Sequence, residues 1–218
     1  DRSFSSIMAV VRFAIIDNSK LRWLIIYSSA MGVATLSMAW FAQPFFNEVG
    51  VPLVYFGVLW AGLNFSSGLT SYNAHQFNRK KNNYKMLFYI SLSMIISFIL
   101  VGFNNSLFGL IFIFIIYLLR GIITPILRNE ININTTSNMR ATVLSVRSFI
   151  LRISFAICAP IIGYIAENHS LANSFYALAV VVGLFLLLAS FKLTNLSTFA
   201  RTKPLSCNSP VTCFSIKS

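Results

Sequence analysis

MLFYISLSMIISFILVGFNNSLFGLIFIFIIYLLRGIITPIL, residues 86–127, is two apolar runs parted by Asn104, Asn105 and Ser106. A helix needs roughly 20 apolar residues to cross the ~30 Å hydrocarbon core of a bilayer. The runs 86–103 and 107–127 both meet or nearly meet that length, and Arg120 is the one charge in the whole stretch. Lipid offers the backbone no hydrogen-bond partners, so an isolated strand is excluded and helix is expected. Barrel strands of about 10 alternating residues do not fit such continuous runs.

Four more segments read the same way: LRWLIIYSSAMGVATLSMAWFAQPFF (21–46), VPLVYFGVLWAGLNFSSGLTSYNA (51–74), ATVLSVRSFILRISFAICAPIIGYIA (141–166) and SFYALAVVVGLFLLLASFKL (174–193). The composition agrees. Of 218 residues, 56% are hydrophobic and only 10% are charged, against about 25% in a soluble domain. So few charges cannot cover a water-facing surface. The fold class expected is an all-α membrane protein with six transmembrane helices.

The charges fix the expected topology. The net charge of +12 would raise nucleic acid as a partner in a soluble chain. Here the basic residues cluster between apolar runs, so no nucleic acid is expected. Arg2, Arg12, Lys20 and Arg22 precede or open the first span. Arg79, Lys80, Lys81 and Lys85 lie in the second connection, Arg128 and Arg140 in the fourth, and Lys192, Arg201, Lys203 and Lys217 at the end of the last span and beyond. The first, third and fifth connections hold no Lys or Arg. Positively charged loops stay in the cytoplasm, which predicts both termini inside. Residues 1–20 read as a cytoplasmic linker or amphipathic helix, and 195–218 as a disordered cytoplasmic tail. The first residue is Asp rather than Met, so the chain is expected to be a piece of a longer one. Six spans divide into two three-span units of opposite orientation, the 3+3 inverted repeat common in secondary transporters.

Three basic residues fall inside spans: Arg120, Arg147 and Arg152. A charge at mid-bilayer costs roughly 2.5–3.5 kcal/mol on insertion scales. Such a residue faces a cavity, finds a partner or snorkels to the interface. Arg152 sits at mid-depth and is expected in a substrate cavity, with Arg120 close to it in depth. Arg147 lies about 9 Å nearer the cytoplasm at ~1.5 Å per residue and is expected to snorkel, sharing a cytoplasmic electrostatic role with Arg140. On a helix, Arg147 and Arg152 stand about 140° apart, so both facing one groove squarely is not expected. Asn64, Trp60 and Tyr27 are further cavity candidates at mid-depth. No carboxylate and no His lies within these spans, so a proton relay has no carrier here. Three cations without counterions imply an anionic substrate, or carboxylates on another polypeptide. The three cysteines and two histidines form no metal-ligand spacing, and neither metal nor cofactor is expected. An intramembrane hydrolase would need Ser with His, paired carboxylates or a metal motif, so no enzymatic activity is expected.

The run LLRGIITPILRNEININTTSNMRATVLSVRSFILR (118–152), continuing to APIIGYIAE (159–167), resembles the tenth and eleventh helices of the major facilitator superfamily. The resembling features are Arg120-Gly121, Pro125, Asn132, Arg140-Ala141-Thr142 with Leu144-Ser145, and Pro160 with Gly163. NSKLRWLIIYSSAMGVATLSMAWFAQPFF (18–46) is similar to the family's seventh helix. The loop SYNAHQFNRKKNN (71–83) keeps a basic cluster of Arg79, Lys80 and Lys81 but lacks the family's Asp and interposed Gly. The resemblance implies the C-terminal six-helix half of a twelve-helix transporter, working by alternating access against an N-terminal half. From the residues themselves, Arg79, Arg140 and Arg147 are expected to serve gating or cytoplasmic electrostatics, and Pro125 after Gly121 and Pro160 before Gly163 to kink their helices near the ends. The expected cargo is a small solute, anionic or amphipathic, and the expected location a bacterial cytoplasmic (inner) membrane. A self-contained six-helix channel or membrane-assembly scaffold is the alternative.

Overall fold

The computed structural model describes the backbone of residues 8–78 and 83–202, and side-chain surroundings for 8–74 and 85–196. Arg79, Lys80, Lys81 and the chain beyond Thr202 lie outside the described residues. Six long helices follow the six apolar runs: α1 (Ser19–Glu48), α2 (Phe56–Asn78), α3 (Asn83–Phe103), α4 (Gly109–Ile133), α5 (Arg140–Asn168) and α6 (Leu171–Thr202). All six are long and apolar enough to cross a membrane.

The helix ends have local causes. Ahead of α1, residues 8–12 are α-helical and run into a π-helical turn, Phe13–Asp17. Asn18 then caps α1, its Oδ1 accepting from the Leu21 amide at 3.0 Å and satisfying a first-turn donor that no carbonyl can reach. After α1 the chain turns through Gly50 at φ 78°, a left-handed conformation that glycine adopts without steric cost. Extended Pro52 (ψ 138°) and a 3-10 turn at Leu53–Tyr55 precede α2, so that helix starts later than the 51–74 run. In contrast, α4 continues past 127 to Ile133, and α6 remains helical through Thr202, beyond the point where the tail was expected. Pro44, Pro125 and Pro160 all lie inside unbroken helices.

The first helix is the hub, packing on α4, α5 and α6, while α3 packs on α6 and α2 on α4. Burial follows this order: 61% of the apolar window of α1 is buried, against 6% for both α2 and α5. Small and hydroxylated side chains on α1 let its neighbours approach, as van der Waals packing in lipid requires. At one end Asn105 Nδ2 donates to Glu48 Oε1 at 2.7 Å, which brings the first and third connections together. A cage of edge-on rings, Phe41 and Phe45 against Phe175 and Phe46 against Phe56, fills that end of the core.

Candidate functional site

One face each of α1, α4 and α5 meet around a cleft of about 390 Å³. The first helix contributes Ser28, Gly32, Thr35 and Ala39, with Met31 and Leu36 beside them. Steps of four, three and four residues keep these on one stripe. The fourth helix contributes Arg120, Ile123, Thr124 and Leu127, and the fifth contributes Arg147, Ser148, Leu151 and Arg152. These positions fall near the middle of their helices, so the cleft lies at mid-length in the bundle.

The cleft thus gathers all three arginines of the apolar spans. Arg120 and Arg152 both line it. Arg147 does not turn away: it is half-buried, its Nε donates to Ser28 Oγ, and it lines the same cleft. Two arginines about 140° apart on one helix need not point along one line to share a groove. The α5 face is centred between Ser148 and Leu151, which puts Arg147 and Arg152 about 70° to either side. A long side chain swings in readily from either flank. No carboxylate lines the cleft.

Further contacts hold the walls in place. Ser29 Oγ donates to the Arg147 carbonyl at 3.3 Å, which ties α1 to α5 at the residue that carries the charge. A Cβ at Gly32 would stand 2.0 Å from Leu151 Cδ1, so glycine is what lets α5 lie this close. Thr124 Oγ1 donates to the Arg120 carbonyl at 2.7 Å and Thr35 Oγ1 to the Gly32 carbonyl at 3.1 Å. Both threonine hydroxyls spend their proton within their own helices, and the charged donors facing the cleft are the guanidinium groups, with the Ser28 and Ser148 hydroxyls beside them.

The remaining expected residues disperse. Tyr27 is not a cavity residue. It is fully buried, its OH donates to the Leu87 carbonyl at 2.9 Å, and Ser91 Oγ donates to it at 3.0 Å. One residue along a helix is a turn of about 100°, so Ser28 faces the cleft and Tyr27 faces α3. Asn64 is exposed on α2, with Nδ2 donating to the Trp60 carbonyl at 2.9 Å, and lies outside the cleft. Trp60 packs edge-on against Tyr117, centroids 6.2 Å apart, and Arg120 lies over the Tyr117 ring with Cζ 5.5 Å from its centroid. Trp60 Nε1 and Tyr117 OH are buried without a hydrogen-bond partner.

Arg140 reaches back to the Thr135 carbonyl through Nε at 3.3 Å and does not enter the cleft. Gly121 marks a close approach between helices: a Cβ there would stand 2.1 Å from Thr70 Oγ1 and 2.3 Å from the Ser67 carbonyl oxygen. Gly163 borders open space. A second, smaller polar cleft of about 260 Å³ runs along α4 from Thr124 past Pro125 to Arg128, Asn129 and Asn132, with Ser71 of α2 opposite. Thr124 lines both clefts. Buried Glu130, beside this second cleft in sequence, escaped the sequence reading because the fourth span was taken to end at 127. The helical continuation to Ile133 is what brings it into the bundle.

Comparison with protein-family models, curated proteins and solved structures gave no match.

Proposed function

We propose that this chain is the C-terminal six-helix half of a secondary transporter of the major facilitator type. It would carry a small solute across the membrane by alternating access at the cleft between α1, α4 and α5. The observation that carries this reading is the meeting of three arginines in one cleft midway along apolar helices. An intramembrane charge is expensive and persists where it serves a cavity or pathway.

Two features of the packing support an inverted repeat. Exchanging α1, α2 and α3 for α4, α5 and α6 turns the α2–α4 contact into α5–α1, and the α1–α6 contact into α4–α3. The α1–α4 and α3–α6 contacts map onto themselves, while the α5–α6 contact has no α2–α3 counterpart of like extent among the described residues. Burial follows the same exchange for two of the three pairs: α2 and α5 match at 6%, and α3 and α6 stand at 44% and 50%, while α1 at 61% is more enclosed than α4 at 39%. An odd number of spans per unit then requires the two units to be inverted in the membrane. The two helices left most open, α2 and α5, are equivalent under this exchange. They are the faces against which an N-terminal half would pack.

The basic end, with Arg22, Lys85, Arg128 and Arg140, would face the cytoplasm of a bacterial cell by the positive-inside rule. The polar lining that steps from Arg120 through Thr124 to Arg128 would open toward that side. The test is solute exchange in proteoliposomes holding the whole reading frame that contains this chain. Alternating access predicts saturable uptake that is accelerated by solute on the opposite side. A conductance that never saturates and ignores the opposite side would refute it in favour of a channel.

A further inference from the structure

From the distribution of hydrogen-bond donors we propose that the cleft takes a small organic anion with two acidic groups, or one doubly charged group such as a phosphate monoester, on a short apolar body. This inference rests on the transport reading for its location, and names the substrate class that reading leaves open. Arg120, Arg147 and Arg152 bring three fixed positive charges to one cavity whose lining has no carboxylate. Each guanidinium carries five donors and cannot be deprotonated in a protein. Of these, the hydrogen bond recorded within the cleft is Arg147 Nε to Ser28 Oγ.

The neighbouring hydroxyls, Ser28, Thr35, Thr124 and Ser148, carry no charge and do not offset the three cations; Thr35 and Thr124 are already bonded within their own helices and Ser28 already accepts from Arg147. Donors in excess call for a ligand rich in acceptors, and fixed positive charge in a low-dielectric cleft calls for a negative one. Arg120 approaches from α4 and Arg152 from α5, so the charges grip from two walls. That geometry suits two acidic groups, or one dianionic group bridged between forks. Met31, Leu36, Ile123 and Leu151 supply the apolar part of the lining, which suits a carbon body. At about 390 Å³ the cleft has room for a small metabolite.

A lipid phosphate shares the acidic chemistry and is the competing source. The experiment is thermal unfolding of the purified whole reading frame in phosphatidylcholine nanodiscs, at constant ionic strength. The probes are succinate, phenyl phosphate, benzoate, glucose and tetraphenylphosphonium. The expected result is a concentration-dependent rise in Tm with succinate or phenyl phosphate, smaller with benzoate and absent with glucose and tetraphenylphosphonium. Arg152→Gln and Arg120→Gln should each weaken apparent binding roughly tenfold or more, as loss of a charge-assisted bond implies. Should a glutamine variant fail to fold, Arg152→Lys keeps the charge, loses the fork and should bind with intermediate affinity. Lys192→Gln, remote from the cleft, should leave binding unchanged.

Equal shifts for the neutral or cationic probes, or shifts that persist in Arg120→Gln and Arg152→Gln, overturn the proposal. So does stabilisation by added phosphatidylglycerol when no soluble anion has an effect, which would make the cleft a headgroup site. Failure of transport with anion binding intact sinks the transport reading alone. Saturable exchange of a neutral solute without anion binding sinks the substrate class alone.

Discussion

At residue scale, two neighbouring positions on α1 part company. Tyr27 is locked between the Leu87 carbonyl and Ser91 Oγ, while Ser28 accepts from Arg147 at the cleft. Removing the Tyr27 hydroxyl takes away the hydrogen bonds that tie α1 to α3, while Ser91 Oγ keeps its own bond to the Leu87 carbonyl at 2.9 Å, at a net cost of about 0.5–1.5 kcal/mol. Tyr27→Phe should therefore lower Tm and leave the solute KM unchanged; a raised KM with unchanged stability would put Tyr27 back in the site. Arg152→Ala should do the opposite, reducing transport while membrane insertion and expression persist. Normal transport kinetics in that variant would remove Arg152 from the site. The sequence marked all three arginines as exceptional because charge in lipid is costly wherever it points. It could not say which polar neighbours joined them, since that depends on the rotation of each helix.

At the scale of elements, the contact between α2 and α4 depends on Gly121. Thr70 Oγ1 lies 3.2 Å from the Leu118 carbonyl, close enough for a hydrogen bond between the helices, and no side chain fits between Gly121 and Ser67. Gly121→Leu should lower stability by about 1–3 kcal/mol or more through overpacking, read as a fall in Tm or in folded yield. Gly163→Ala meets nothing within 4 Å and should change Tm little, since substitutions away from packed features usually stay within about 0.5 kcal/mol. Equal losses at the two glycines would contradict the assigned roles. Both glycines stood in the sequence as kink candidates beside a proline. Sequence alone cannot separate a bend from a close approach, because the second helix of the contact is remote in the chain.

At the scale of the whole molecule, the alternation of basic and neutral connections predicts which loops share a side. The hydrogen bond between Glu48 and Asn105 brings two of the neutral connections together, as that alternation requires. Asn138 and Asn168 are exposed at opposite ends of α5. In a background with the native cysteines replaced, Asn138→Cys should react with an impermeant maleimide from the cytoplasmic side only, and Asn168→Cys from the opposite side only. Labelling of both from one side would refute the six-span topology. The paired contacts and burial of the two three-helix units carry a further expectation. Covering α2 and α5 with a second bundle should protect both helices from lipid-soluble labels together, and protection of one alone would argue against a symmetric partner.

By itself, the sequence determined the six helices, that each is long and apolar enough to cross a membrane, and the rarity of charge between their ends. Those properties follow from backbone satisfaction and transfer free energy, which act locally on each run of residues. Only the tertiary structure decided that α1 is the hub, that Ser28 rather than Tyr27 faces the cleft, and that Arg147 joins Arg120 and Arg152. Each of these depends on how helices far apart in the chain are rotated against one another. A turn of about 100° between adjacent residues is enough to move a side chain from cavity to core.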